Sequence, residues 1–212
     1  MKKFNFLPLL LFIPFGLGLF VALTECISGF EKGVFSLFRK LAPAMDIPFR
    51  GITELGSAVG VIAVALLIFV ITAITRKYFF TVGLPVAITI IISRIVNITL
   101  KNLLDRPRPE FKVMFADESS FPSGHSQNNM ALYIGLLLCL LLVVTAPKWR
   151  LIFKITFIAL PLLIGITRIY FGVHYISDVV AGWSMGAFLA ILINYVYFRI
   201  YNNVKDKRNA KA

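Results

Sequence analysis

The chain has 212 residues, of which 58% are apolar and only 15% are charged, and its formal net charge is +12. The length allows one domain of ordinary size, and the composition excludes an ordinary soluble domain. A basic chain often indicates nucleic-acid binding. Here membrane orientation and anionic lipid headgroups explain the basic residues, so we expect the bilayer as a partner and no nucleic acid.

Six segments are apolar and long enough to cross a bilayer as helices, since a span needs about 20 apolar residues. In chain order they cover residues 4–24, 55–75, 78–100, 126–147, 151–167 and 179–198. Four carry no charge, whereas Arg94 interrupts the third and Lys154 lies near the start of the fifth, where its side chain reaches the interface. The sequence therefore predicts an all-α fold, a six-transmembrane helix bundle, with a single domain over residues 1–212.

Between the first two spans, five apolar residues recur at helical spacing, and most charged residues lie on the rest of the helical wheel. The apolar residues are Phe30, Val34, Leu37, Phe38 and Leu41. This pattern predicts a short amphipathic helix on the outer membrane surface, which Pro43 and Pro48 end before the second span. Such a helix would either guide lipid or pack against the bundle as an anchor.

Lysine and arginine residues are divided unequally between the two sides of the predicted bundle. With six spans, the termini and the second and fourth connections share one side, and 12 of the 22 basic residues lie there. By the positive-inside rule we expect a multi-pass protein of the cell membrane with both termini in the cytoplasm. The third and fifth connections then lie on the extracytoplasmic side.

Three short polar blocks occupy those connections and the span ends beside them. They are Lys101-x6-Arg108-Pro109, Pro122-Ser123-Gly124-His125 and Arg168-x5-His174-x3-Asp178, and they contain both histidines of the chain. Charged and hydrogen-bonding side chains are costly near a membrane, so such a concentration of them indicates a functional site. The motif region is residues 101–178.

The second block opens the fourth span, so backbone amides near Ser123 and Gly124 are expected at a helix N-terminus, which attracts phosphate. Gly124 lets the backbone approach closely, and Ser123 either donates a hydroxyl or caps the helix. Three cations from two separate loops, Lys101, Arg108 and Arg168, would converge on one dianion. Together these residues predict a phosphate-binding site.

His174 and Asp178 are four residues apart and would share one face of a helix. A carboxylate there holds the imidazole in one tautomer and stabilises its positive charge, which leaves the other ring nitrogen free to attack phosphorus. His125 would supply a proton to the leaving oxygen. Outside this pair no His, Asp or Glu cluster has metal-ligand spacing, so we expect no metal and no other cofactor.

The three blocks resemble the signature K-x6-R-P, P-S-G-H and S-R-x5-H-x3-D of the type 2 phosphatidic acid phosphatase superfamily, which includes vanadium haloperoxidases and bacterial acid phosphatases. Their order and spacing match, and Thr167 stands where the family usually has serine. The resemblance implies a phosphohistidine on His174, oriented by Asp178, and protonation of the leaving group by His125, with no metal. It implies that the phosphoryl oxygens are held by Lys101, Arg108, Ser123, Gly124 and Arg168.

Arg94, Asn97 and Lys101 fall at i, i+3 and i+7, so on one helix they would form a polar stripe from within the membrane to the phosphate site. Arg94 would contact a second phosphate, which favours a diphosphate lipid. Alternatively, it would pair with Glu54 or extend to the interface.

We therefore expect a metal-independent lipid phosphate phosphatase acting at the extracytoplasmic face on phosphatidylglycerophosphate, phosphatidic acid or undecaprenyl diphosphate. A phosphotransferase that uses the same phosphohistidine is one alternative. A transporter or channel for an anionic lipid or phosphate is another, although transporters usually show repeated halves and helices broken near the midplane. The sequence leaves the lipid, the acceptor and the oligomeric state open.

Overall fold

The structure, a computed structural model, describes residues 7–116 and 119–209. These residues form α-helices and no strand, with a 3-10 turn before the first helix and a π-helical turn, Phe79–Gly83, that leads into the fifth. The helices are α1 (Phe12–Thr24), α2 (Ser28–Arg39), α3 (Asp46–Leu55), α4 (Ala58–Thr75), α5 (Leu84–Leu104), α6 (Gly124–Val143), α7 (Pro147–Tyr170) and α8 (Ile176–Asn209). The predicted all-α class is confirmed.

Five helices in the described part of the chain are long and apolar enough to cross a membrane: α4, α5 with its π-helical turn, α6, α7 and α8. Within the described residues, the helix of the first predicted span does not qualify by itself. It qualifies only as a bent pair, Leu9–Thr24 with Ser28–Arg39, whose two parts meet at 108°. The bundle therefore has five spans, or six when the bent pair is counted as one.

Two glycines of α8 allow this helix to lie directly against the backbone of α6. A Cβ atom at Gly182 would lie 2.8 Å from the Ser123 carbonyl oxygen, and one at Gly186 would lie 2.2 Å from that of Gln127. Small residues four apart are the usual means of close helix approach in membranes. Because the contact includes Ser123, it brings the first turns of α6 and α8, and hence two of the polar blocks, side by side.

Polar side chains inside the bundle join α5 to α6. Ser93 donates its hydroxyl to Asn128 Oδ1 at 2.8 Å, Gln127 donates to the Ser93 carbonyl at 2.9 Å, and Asn97 donates to Gln127 Oε1 at 3.1 Å. Buried polar groups in hydrocarbon need such partners. This ladder sets the height of Lys101, on the last turns of α5, relative to the start of α6.

The predicted surface helix is present as α2, but one of the two prolines expected to end it lies elsewhere. Phe30 and Leu37 are each 61% exposed, whereas Glu31 is 3% exposed. Phe30 and Leu37 thus lie outward, as suits contact with lipid, whereas Phe38 packs against a buried cluster and Glu31 faces the protein. Pro48 does not end this helix: it lies in the first turn of α3, an unpredicted helix, where proline is well tolerated.

The second span begins later than predicted. Leu55 is the last residue of α3, and α4 starts at Ala58, where the Ser57 hydroxyl accepts a hydrogen bond from the Gly60 amide at 3.1 Å. This N-cap separates the two helices. As a result α3 lies before the span as a separate element, close to the C-terminal end of α7.

Candidate active site

A polar cavity of about 400 Å³ lies at the end of the bundle where α5 and α7 finish and where α4, α6 and α8 begin. We call this the site end. Seven of the predicted site residues line the cavity: Arg94, Lys101, Arg108, Gly124, His125, Arg168 and His174. Two others, Ser123 and Asp178, lie behind its wall with no exposed surface. The structure therefore brings all three polar blocks together.

His174 lies in the short connection between α7 and α8 and is 3% exposed. Its Nδ1 atom is 3.7 Å from Asp178 Oδ2 and 3.4 Å from the Ser120 hydroxyl, and its Nε2 atom is 3.2 Å from Arg108 Nη1. A guanidinium only donates hydrogen bonds, so Nε2 is the acceptor and Nδ1 carries the proton. Burial lowers the pKa of His174 to about 3, which keeps the ring neutral.

Asp178 is fixed by hydrogen bonds to both carboxylate oxygens. Its Oδ2 atom accepts from the Ser120 hydroxyl at 2.5 Å and from the Tyr175 amide at 2.9 Å. Its Oδ1 atom accepts from Arg106 Nη1 at 2.5 Å. The carboxylate is thus held next to the Nδ1 side of His174, where it would stabilise an imidazolium.

The first turn of α6 presents free donors to the cavity. In the part of the chain that the structure describes, the backbone amides of Gly124 and His125 have no hydrogen-bond acceptor. The positive end of the helix dipole adds to their attraction for an anion. A Cβ atom at Gly124 would lie 3.0 Å from Asn97 Oδ1, so glycine keeps this wall open.

Three cationic side chains reach the cavity from different elements. Lys101 comes from α5, Arg108 from the connection to α6, and Arg168 from the last turn of α7. Lys101 donates to the Ser119 carbonyl. Arg108 donates to the Val173 carbonyl at 2.7 Å. The second bond holds Arg108 beside the His174 ring, and all three cations line one cavity, the arrangement expected for binding a phosphate dianion.

Arg168 is held in place by a residue that sequence analysis missed. Its Nη1 atom donates to the Thr53 hydroxyl of α3 at 2.6 Å, and its Nε–H is a buried donor with no partner among the described residues. A buried donor without an acceptor is costly unless a ligand supplies one. Arg168 is therefore oriented by α3 and retains hydrogen-bonding capacity for an anion.

Ser123 is the N-cap of α6. Its hydroxyl accepts from the Ser126 amide at 3.4 Å and from the Ser126 hydroxyl at 3.0 Å, and its backbone amide donates to the Asp178 carbonyl at 3.1 Å. The capping role named in the sequence analysis is thus present. A direct phosphate contact by Ser123 stays a prediction.

Arg94 lies on α5 and lines the part of the cavity within a membrane-spanning segment. Seven residues separate it from Lys101, about 10 Å along the helix axis. In the described ranges it forms no ion pair with Glu54, the alternative considered from sequence. Its guanidinium is therefore available to the cavity.

Three further functional candidates were missed from sequence: Arg106, Glu31 and Ser120. Arg106 is 4% exposed and bridges Glu31 of α2 and Asp178 of α8. One signal was available, since Arg106-Pro107 precedes Arg108-Pro109 as a repeated dipeptide. Glu31 gave no signal, because an acidic residue on an amphipathic surface helix is normally solvated.

The proteins of known name that resemble this chain include two phosphatases. The chain is 31% identical over 154 residues to phosphatidylglycerophosphatase B of Bacillus subtilis (strain 168), which covers 71% of this chain and 74% of that protein. It is 32% identical over 129 residues to lipid A 1-phosphatase of Rhizobium johnstonii, and this alignment covers 56% of this chain and 49% of that protein. Both relatives are named as phosphatases.

The fold is similar to the crystal structure of a transmembrane PAP2 type phosphatidylglycerolphosphate phosphatase from Bacillus subtilis. The TM-score is 0.83 at 27% sequence identity, and the match covers 92% of this chain and 98% of that one. A family model described as the PAP2 superfamily matches residues 82–202, more than half of the chain and all three polar blocks. The chain therefore belongs to the PAP2 superfamily.

Proposed function

We propose that the protein is a membrane lipid phosphatase that hydrolyses a phosphate monoester or diphosphate of a lipid through a phosphohistidine on His174. The observation that carries this proposal is the position of His174. Its neutral ring is held with Nε2 beside the Arg108 guanidinium on a cavity wall and with Nδ1 toward Asp178. A nucleophile, an orienting carboxylate and phosphate-binding cations thus meet at one point.

In the first step the Nε2 lone pair attacks phosphorus, and the bond from phosphorus to the lipid oxygen breaks. His125 donates a proton to that oxygen, so the lipid leaves as an alcohol or a lipid phosphate. The positive charge that forms on the His174 ring is stabilised by Asp178. Throughout, Lys101, Arg108 and Arg168 balance the charge of the phosphoryl oxygens.

In the second step a water molecule attacks phosphorus and breaks the bond to Nε2. His125, now neutral, accepts a proton from the water, and inorganic phosphate is released. We propose that this reaction needs no metal, because the three side-chain cations and the α6 amides supply the positive field that a metal would otherwise provide.

A lipid substrate is supported by the depth of the cavity. Its lining includes Val61 of α4 and Arg94 of α5, both on helices that can cross the membrane. A phosphate at the site end would therefore leave its acyl or prenyl tail beside the spans. We propose phosphatidylglycerophosphate, phosphatidic acid and undecaprenyl diphosphate as candidate lipids, and the name of the Bacillus relative favours the first.

We further propose that the site end faces away from the cytoplasm and that both termini are cytoplasmic. This orientation is supported by the sequence, because an arrangement of six spans puts 12 of the 22 basic residues at the termini and in the connections opposite to the site. The candidate lipids would then be hydrolysed in the outer leaflet of the cell membrane.

Phosphate release by the purified protein tests the proposal. Lipid monophosphates and diphosphates are offered with a chelator present, and the His174→Ala variant serves as the control. We expect release that survives the chelator and is lost in the variant. Release abolished by the chelator would overturn the metal-free scheme. Phosphate transfer to a second lipid without release would instead identify a phosphotransferase.

A further inference from the structure

A buried chain of three charged side chains runs from the surface helix α2 to the carboxylate behind the nucleophile. Arg106 Nη2 is 3.2 Å from Glu31 Oε2, and Arg106 Nη1 is 2.5 Å from Asp178 Oδ1. The side chains of Glu31 and Asp178 have no exposed surface, and that of Arg106 is 4% exposed. Such burial is costly, so all three charges must be paired.

Glu31 also binds the first turn of α8. Its Oε1 atom accepts from the Ser177 amide at 3.1 Å and from the Ser177 hydroxyl at 2.5 Å. An acidic group at a helix N-terminus is favoured by the helix dipole. Glu31 therefore caps the helix that carries Asp178, although it lies about 150 residues earlier in the chain.

The summed charge of Glu31, Arg106 and Asp178 determines how strongly Asp178 can stabilise a positive charge on the His174 ring. A guanidinium in direct contact with Asp178 would by itself cancel most of the carboxylate's field, because the two charges would sum to zero. Glu31 offsets the guanidinium, so the three side chains together carry one negative charge. That charge is what would stabilise the imidazolium when His174 attacks phosphorus.

We propose that Arg106 and Glu31 are positioning residues: Arg106 holds Asp178 in place, and Glu31 keeps a net negative charge behind His174, and together they speed formation of the phosphohistidine. This inference rests on the proposed phosphatase function. Arg106 holds Asp178 by a hydrogen bond and stacks over the Tyr175 ring at 4.1 Å. Glu31 restores the charge that Arg106 removes. Neither residue lines the cavity, so phosphate binding is left to other groups.

The test uses the full chain in detergent and the variants E31Q, R106Q and E31Q/R106Q. Glutamine at position 31 keeps an oxygen that accepts from Ser177, removes the charge, and replaces the oxygen that accepts from Arg106 by an amide group that only donates. For E31Q we expect kcat to fall at least tenfold while KM stays within twofold. For R106Q we expect a larger fall in kcat, because two carboxylates then lose the cation between them.

The double variant gives the decisive result. It leaves Asp178 with neutral neighbours and so restores one negative charge behind His174. We therefore expect E31Q/R106Q to have a higher kcat than either single variant. A purely structural cap predicts the reverse, with losses that add. Additive losses, or an E31Q variant with the kcat of the unmodified chain, would overturn the proposal.

Two controls keep the outcome interpretable. Glu110→Gln removes an exposed carboxylate from the connection that carries Arg106, and its kcat should equal that of the unmodified chain. Binding of inorganic phosphate shows that each variant retains its cavity. If E31Q does not fold, the comparison of R106Q with the double variant decides alone. If the unmodified chain releases no phosphate, the proposed function fails before this network is tested.

Discussion

The protonation of two histidines determines the direction of the proposed reaction. The Nδ1 proton of His174 lies toward Asp178, which leaves Nε2 as the nucleophile. His125 lies on another element, α6, and lines the same cavity. In the proposed reaction one ring is attached to phosphorus while the other transfers protons, so variants of the two histidines should fail at different steps.

The first prediction separates these two roles. In His125→Ala, hydrolysis of a lipid phosphate should fall about 10²- to 10⁴-fold, the usual cost of losing an acid–base group. The leaving group of p-nitrophenyl phosphate needs no proton, so with this substrate the phosphoryl group should still transfer to His174. The phosphoenzyme should then accumulate, because His125 is no longer present to accept a proton from the attacking water. The measurement is the amount of phosphorylated protein whose label is lost in acid and kept in alkali. If His125→Ala/His174→Ala also gives this labelled protein, His174 is not the residue that is phosphorylated.

The second prediction concerns Arg94. If its guanidinium contacts a second phosphate, Arg94→Ala should raise KM for phosphatidylglycerophosphate or undecaprenyl diphosphate by about tenfold, equivalent to about 1.4 kcal/mol. Phosphatidic acid carries a single phosphate, so its KM should change by less than twofold. Equal changes for both classes would show that Arg94 only contributes general positive charge.

The third prediction follows from the burial of His174, which lowers its pKa from 6.5 to about 3. Between these values the unfolded chain binds more protons at this residue than the folded chain, so acid destabilises the fold. From pH 6.5 to 5 the loss is at most about 2 kcal/mol. The drop in Tm from pH 7 to pH 5 should therefore be smaller for His174→Gln than for the unmodified chain.

Among the helices, the contact of α6 with α8 is the one on which the site depends. It places Ser123 against Asp178, whose carbonyl accepts from the Ser123 amide. The approach is possible only because Gly182 and Gly186 lack side chains. Packing between these helices therefore determines the distance between His125 on α6 and His174 before α8.

The fourth prediction tests this contact. In Gly186→Ala the new methyl group would lie 2.2 Å from the Gln127 carbonyl oxygen, a backbone atom that cannot rotate away. We expect overpacking to destabilise the protein by about 1–3 kcal/mol and to lower kcat. Gly16→Ala on α1 is the matched control, since nothing lies within 4 Å of its added methyl group. Equal Tm values for the two variants would contradict the packing argument.

Hydropathy and residue spacing predicted most of the helices and grouped the residues that line the cavity. Lys101, Arg168 and His174 could be placed together because each lies at a span end, and span ends alternate between two sides. The burial of Glu31 could not be predicted, because a charged residue on an amphipathic helix normally faces water and its partners, Arg106 and Ser177, lie far away in the sequence. The pairing of Thr53 with Arg168 also depends on long-range packing, since 115 residues separate them.

For the whole molecule, the first connection reports which side of the membrane the site end faces. The short α2 helix ties the first connection to that end, because Glu31 contacts both Arg106 and the first turn of α8. The turn between α1 and α2 therefore lies on the same side as the cavity whether five or six spans are counted. This turn contains Cys26, an exposed free cysteine, while the other cysteine, Cys139, is buried.

The fifth prediction uses Cys26 as a reporter of orientation. If the site end is extracytoplasmic, a membrane-impermeant maleimide should label Cys26 in intact cells, and Cys26→Ser should abolish the labelling. A cysteine introduced at Lys77, in the connection between α4 and α5 at the opposite end, should react in the Cys26→Ser background only after lysis. The reverse pattern would place the cavity in the cytoplasm, and the candidate lipids would then have to reach it from the inner leaflet.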